Sequence, residues 1–136
     1  MTNTDILKMV DHRIIGVNLN TKLSTVITLM KNMNVEIIPI MEGKKLVGIL
    51  NDRRVAEYTK RADMDLYKVK AGDIMAKPLF VKSTDSVNSV LDYFIKNRIS
   101  RVPVVNNEKD MECVGVISAT EVLEFKMKES KKLHLK

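Results

Sequence analysis

The sequence predicts an α+β fold made of two β-α-β-β-α repeats. Three observations carry that reading. Laying Val17 on Val81 aligns 25 residues without a gap at an offset of 64. Within that stretch, apolar residues recur at helical spacing in both copies. Two runs rich in β-branched residues then follow each helix, the first marked by a Pro and the second by a Gly at matching places. Only Val17/Val81, Val26/Val90 and Pro39/Pro103 are identical across the aligned stretch, so periodicity rather than identity defines the repeat.

In chain order, each copy opens with a short strand, at Ile15 to Val17 and at Leu79 to Val81. The first helix follows. Leu23, Val26, Ile27, Met30 and Met33 form one apolar face in copy one, and Val87, Val90, Leu91 and Phe94 form it in copy two. Asn20-Thr21 and Thr84-Asp85 stand before these helices as candidate caps. The strands EIIPI and SRVPVV come next, and their prolines suit an edge or a strand lacking one ladder bond. The following turn, EGKK or NNEKDME, is three residues longer in copy two, which brings Gly48 onto Gly115 at an offset of 67. The runs KLVGILN and CVGVIS read as buried strands that pass directly into the helices DRRVAEYTK and ATEVLEFKMK. The joining stretch is polar, with one amphipathic piece, VKAGDIM. The organisation expected is therefore repeat one over 5–61, a linker over 62–69, repeat two over 70–128 and a basic tail over 129–136. A repeat of ~50 residues buries too little surface alone, so the copies are expected to share a core.

Bulk composition narrows the function classes. No apolar run among the 136 residues approaches the ~18 of a membrane span, and the first ten residues lack the basic and apolar regions of a secretory signal. A cytoplasmic location is expected. The single Cys113 lies in an apolar strand and reads as a small buried hydrophobe, while His12 and His134 have no partners at metal-ligand spacing. No nucleophile sits beside a His, no paired carboxylates flank a cleft and no phosphate loop is present, so neither catalysis nor a metal is expected. The net charge of +6 is concentrated at the end of the chain, where five Lys stand against one Glu in the last eleven residues. With three Phe, three Tyr and no Trp there are few rings for stacking on bases. The tail reads as solvated, and nucleic-acid binding through it is an alternative.

The order of these motifs resembles a tandem pair of CBS domains, the regulatory module first described in cystathionine beta-synthase. SRVPVV and VGVISATEV carry the resemblance in the second copy, EIIPI and VGILNDRRV in the first, together with the lead-in AGDIM, over roughly residues 5 to 128. The resemblance implies two copies packed about a pseudo-twofold axis. It also implies two clefts that bind adenosine-containing ligands in many members, each completed by the lead-in of the other copy, and a tendency of such modules to pair.

Ser118 and Glu121 are the focus of that expectation. As Ser-x-x-Glu at a strand-to-helix junction they form a capping box, with Ser118 accepting from the third helical N–H and Glu121 reaching back. In the family pattern the same spacing carries a carboxylate for both ribose hydroxyls, and two carboxylate oxygens match a vicinal diol. Both readings are open at this stage. Arg101 is either a solvated strand-end charge or, as the resemblance implies, a phosphate ligand. Thr120 could donate to the same phosphate from the helix N-terminus. The resemblance places Val10, Ile15 and Val116 around the base, and ordinary core packing is the other reading of each.

The second cleft departs from the pattern. Asn51 stands where Ser or Thr is expected and Arg54 where the acid is expected, so no carboxylate is available for a diol, although Ile74 and Leu79 could still line it. Arg53 and Arg54 read either as a solvated face or as an attraction for phosphate. One good site and one weak or empty site per chain are expected. The function implied is a regulatory module that takes AMP, ADP, ATP or S-adenosylmethionine, needs no cofactor, forms a homodimer and signals to an unknown partner protein. A ligand-free dimerisation scaffold is the alternative.

Overall fold

The computed structural model describes residues 4–14, 16–61 and 63–134. The chain runs α1 (Thr4–Met9), β1 (Val17–Asn18), α2 (Leu23–Met33), β2 (Ile37–Glu42), β3 (Lys45–Asn51) and α3 (Asp52–Thr59). It continues with α4 (Ala71–Ile74), β4 (Val81–Lys82), α5 (Val87–Asn97), β5 (Arg101–Val105), β6 (Cys113–Ser118) and α6 (Ala119–His134). The β-α-β-β-α order is thus present twice, and each copy is preceded by a short helix.

The two compact units are not the two sequence repeats. The described residues up to Ile14 join those from Phe80 onward in one unit, and the intervening residues up to Leu79 form the other. Each lead-in therefore belongs with the sheet of the copy it does not precede. The first-repeat unit holds the sheet of copy one and the second-repeat unit that of copy two.

Each sheet has three strands, in the order β1-β2-β3 and β4-β5-β6. The first pairing in each is parallel and the second antiparallel. Pro39 and Pro103 lie in the central strands, opposite Ile49 and Val116. They are tolerated because β1 pairs only with Ile40 and Met41, and β4 only with Val104 and Val105. Beside each proline one edge is unpaired, so no ladder bond is lost. Register shifts fall at Ile40/Met41 and Val104/Val105, the same place in both copies.

The apolar faces read from the sequence are largely buried. Leu23, Val26, Ile38, Ile40 and Leu50 are sealed in the first-repeat unit with Val17, Val55, Ala71 and Ile74. Val87, Val90, Phe94, Val102, Val104, Ile117 and Val122 are buried in the second-repeat unit, as are Ile6 and Met9 from α1. Met33, assigned to the apolar face, is instead exposed on the last turn of α2.

Three local expectations are corrected. The first strand of copy two begins at Val81 rather than at Leu79, because pairing starts only opposite Val104; that of copy one is described from Val17, opposite Ile40, and Ile15 lies outside the described residues. The candidate caps close the preceding turns instead. Thr21 Oγ1 accepts from the Asn18 N–H at 3.1 Å and Asp85 Oδ2 from the Lys82 N–H at 2.8 Å. The helices start later, α2 from Lys22 with no side-chain cap and α5 from Ser86, whose hydroxyl accepts from the Ser89 N–H. Finally, the basic segment from 129 to 134 is not separate from the last helix but continues α6 to His134. It contains no Gly or Pro, its lysines sit at the favourable end of the helix dipole, and Glu124 pairs with Lys128 at 3.2 Å one turn on.

Helices α2 and α5 end alike, on left-handed residues Asn34 (φ 51°) and Arg98 (φ 53°). Asn adopts this conformation readily, whereas Arg there costs about 1 kcal/mol relative to Gly. The main-chain reversal is conserved between copies even where the side chain does not favour it.

Candidate ligand-binding site

The second-repeat unit gathers most of the predicted site around the end of β6. Burial alternates along this strand, with Cys113, Gly115 and Ile117 inward and Val114, Val116 and Ser118 on the half-exposed face. Arg101 lies directly opposite Ser118 in the ladder, so its side chain leaves from the same face. Thr120 and Glu121 follow on the first turn of α6. Strand pairing and the β6-to-α6 turn thus bring Arg101, Val116, Ser118, Thr120 and Glu121 together.

The lead-in completes the group. Asp11 forms a two-way backbone bridge to Val116, with its N–H donating at 2.8 Å and its carbonyl accepting at 2.9 Å. His12 Nδ1 lies 3.0 Å from the Val114 carbonyl. Val10, 8% exposed, packs beside Gly115. The approach is so close that a Cβ on Gly115 would meet Val10 Cγ1 and the Asp11 carbonyl oxygen. Gly48 holds the equivalent place in the other unit, where a Cβ would lie 3.0 Å from the Ala76 carbonyl oxygen. This explains the matching glycines, which the sequence shows without their reason.

The polar geometry separates the two readings of Ser118 and Glu121. Ser118 Oγ accepts from the Glu121 N–H at 3.3 Å and lies 3.2 Å from Thr120 Oγ1, so it does cap α6. The reciprocal arm of the capping box is absent. The Glu121 carboxylate is exposed and makes no hydrogen bond or ion pair among the described residues. Half-buried Arg101 likewise has no hydrogen-bond partner among them, although its charge helps to lower the Asp11 pKa. The main cause of that lowering is Arg13, which donates to both Asp11 carboxylate oxygens, each at 3.1 Å. Asp11 is a member of this group that sequence reasoning missed. It lies in irregular chain, where no periodicity marks it.

Burial pushes the Cys113 thiol pKa up, and the thiol lies 3.4 Å from the Gly115 carbonyl oxygen. It is a packed side chain under the strand rather than a reactive group.

The predicted second site lies wholly in the first-repeat unit, and the Asn51 amide oxygen and two of the three Arg54 guanidinium nitrogens are already engaged. Asn51 Oδ1 caps α3 by accepting from the Arg54 N–H at 2.7 Å. The Arg54 guanidinium donates from Nε to the Ile74 carbonyl and from a terminal nitrogen to the Met75 carbonyl at 3.2 Å. It also stands 5.3 Å from the centre of the Tyr58 ring. Ile74 is buried and Leu79 half-buried. At the position equivalent to Arg101 stands the buried Ile37, so no basic side chain leaves that strand.

Among the described residues no group of three or more His, Cys, Asp or Glu is placed to hold a metal, and no helix is long and apolar enough to cross a membrane.

Comparison with known proteins agrees with this architecture. The family model described as CBS domain matches residues 4–61 and again 71–128. The inosine-5'-monophosphate dehydrogenase of Thermoplasma acidophilum is 27% identical over 103 residues, which are 76% of this chain but 20% of that protein. The chain thus spans about a fifth of the length of that relative. Among solved structures, CBSX2 in complex with AMP has a TM-score of 0.76 at 20% identity, over 92% of this chain and 97% of that one. The CBS domain pair of protein MJ0100, in complex with 5'-methylthioadenosine and S-adenosyl-L-methionine, has a TM-score of 0.72 at 20% identity, over 91% and 96%. At these identities the likeness is one of fold.

Proposed function

The chain belongs to the CBS domain family as a tandem pair, and from that premise we propose that it is a regulatory module binding one adenosine-containing ligand at the Glu121 end of its second-repeat unit. The observation that carries the reading is the uncommitted Glu121 carboxylate beside Ser118 and Arg101. A vicinal diol donates two O–H groups, and the two oxygens of an ionised carboxylate accept them as charge-assisted bonds. Arg101 suits a phosphate, which a planar guanidinium binds with two parallel N–H groups. Val116 offers half-exposed apolar surface for a base, next to the largely buried Val10. Two solved structures of this fold hold AMP, or 5'-methylthioadenosine with S-adenosylmethionine, in accord with such a ligand class.

In the first-repeat unit Asn51 and Arg54 supply no carboxylate, and Arg54 is tied by two of its nitrogens to the Ile74 and Met75 carbonyls, so the reading assigns one ligand to each chain. The module works in the cytoplasm as a homodimer without a catalytic role of its own. The ligand acts by favouring one conformation that a partner protein reads, which requires different affinity for the two conformations.

A thermal-shift panel of AMP, ADP, ATP and S-adenosylmethionine tests the reading. A ligand confined to the folded state stabilises it by about 2.7 kcal/mol at a hundredfold excess over its Kd, a readily measured rise in Tm. Absence of any rise across the panel overturns the ligand and leaves a dimerising scaffold. Salt-sensitive binding to nucleic acid that disappears on removal of residues 126–136 would instead favour the basic end of α6 as the functional surface.

A further inference from the structure

Arg54 and Glu121 occupy equivalent places, each the third residue of a helix that follows its sheet, yet their chemistry is opposite. The guanidinium carries five donors and no acceptor; the carboxylate at neutral pH carries acceptors only. Ala76 and Asp11 are likewise equivalent, each bridging its lead-in to a strand, at Ile49 and at Val116. Counting back from these bridges, the carbonyls of Ile74 and Met75 correspond to those of Met9 and Val10. Arg54 donates to both of the first pair. Glu121 has no proton to give to the second.

We propose that Arg54 is a built-in clasp that fastens the 74–76 segment of the lead-in to the start of α3 without any ligand, so that response to ligand is confined to the second-repeat unit. The start of this lead-in is tied elsewhere, by the Ala71 N–H to Thr21 O at 2.7 Å and the Gly72 N–H to Leu19 O at 2.9 Å. Its far end has the Ala76–Ile49 bridge, at 2.9 and 3.1 Å, and the Arg54 fork. Two features make the fork firm. It is half-buried, where charge-assisted bonds meet less competition from water. Its guanidinium also shares the Tyr58 ring with Arg61, 4.2 Å from the ring centre, which restricts the rotamers open to the side chain. The clasp stands on these contacts alone; the confinement of the response rests on the nucleotide reading above.

Amide exchange followed by NMR on the full chain separates the two parts. Without ligand, Arg54→Ala is expected to accelerate exchange at the Ala76 and Ile49 amides about tenfold, through loss of two charged hydrogen bonds, and to leave Asp11 and Val116 unchanged. Arg54→Met retains the apolar stem without donors and is expected to behave the same way, which covers the case where the alanine variant folds poorly. Unchanged exchange at Ala76 and Ile49 in both variants, or acceleration spread evenly over β2 and β3, overturns the clasp. Addition of AMP to the wild type is expected to slow Asp11 and Val116 but not Ala76 and Ile49. Slowing of both pairs overturns the confinement, whereas no effect at either pair counts against the ligand and leaves the clasp standing.

Discussion

Gly115→Ala is expected to destabilise the protein by about 3 kcal/mol, measured as a lower urea midpoint at unchanged slope. The added Cβ meets two things at once, the Val10 side chain and the Asp11 carbonyl oxygen. The second is backbone in a bridge and cannot turn aside as a flexible side chain does. The lead-in must lift from β6, which breaks both Asp11–Val116 hydrogen bonds and uncovers Val10. Gly43→Ala provides the comparison. Gly43 has a φ of 61° but open space around its missing Cβ, so its substitution carries only the conformational cost, about 1 kcal/mol. Gly48→Ala should fall between them, since its closest neighbour is the flexible end of Met75, with the Ala76 carbonyl at 3.0 Å. Equal costs at Gly115 and Gly43 would contradict the close approach of the lead-in.

Glu121→Ala is expected to leave stability within about 0.5 kcal/mol of the wild type while weakening the adenosine ligand about a hundredfold. The first half follows from exposure, from the absence of any bond to the carboxylate among the described residues, and from the retention of Ser118 as the cap. The second follows from removing the acceptor of two hydroxyl donors, whose charged bonds contribute about 1.5 to 3 kcal/mol. Glu121→Gln keeps the length and one acceptor oxygen and should lie between. Calorimetric titration with denaturation curves of the same variants checks both halves. Lower stability with unaltered affinity would return Glu121 to the capping box.

The architecture was legible because it is periodic. Leu23, Val26, Val87 and Val90 mark two helix faces by spacing alone, and all four are fully buried. The strand pairs were legible through their β-branched runs and paired glycines. What spacing cannot show is which segments meet across the sequence. That each lead-in meets the other copy, with Val10 near Val116, followed from family resemblance and not from the residues, and the bridge of Ala76 to Ile49 is seen only in the structure. The short helix α1 went unread because six residues carry too little periodicity, although Ile6 and Met9 are buried. Thr21 and Asp85 read from the sequence as candidate helix caps and instead close turns, since the same side chain closes a turn or caps a helix and only the main-chain path decides. At the site, residue types were readable and commitments were not. The sequence marks Arg54 as a missing acid, and only the coordinates reveal its fork on the Ile74 and Met75 carbonyls. They equally reveal that Glu121 leaves its half of the capping box unmade.

The most direct test of the proposed site is an NMR titration of the labelled full chain with AMP. The expected result is saturation at one ligand per chain, with shifts concentrated at Val10, Val116, Ser118, Thr120 and Glu121 and lost in Glu121→Ala. Shifts centred on Asn51 and Arg54, or a spectrum unchanged by millimolar AMP and equally by ADP, ATP and S-adenosylmethionine, would contradict it.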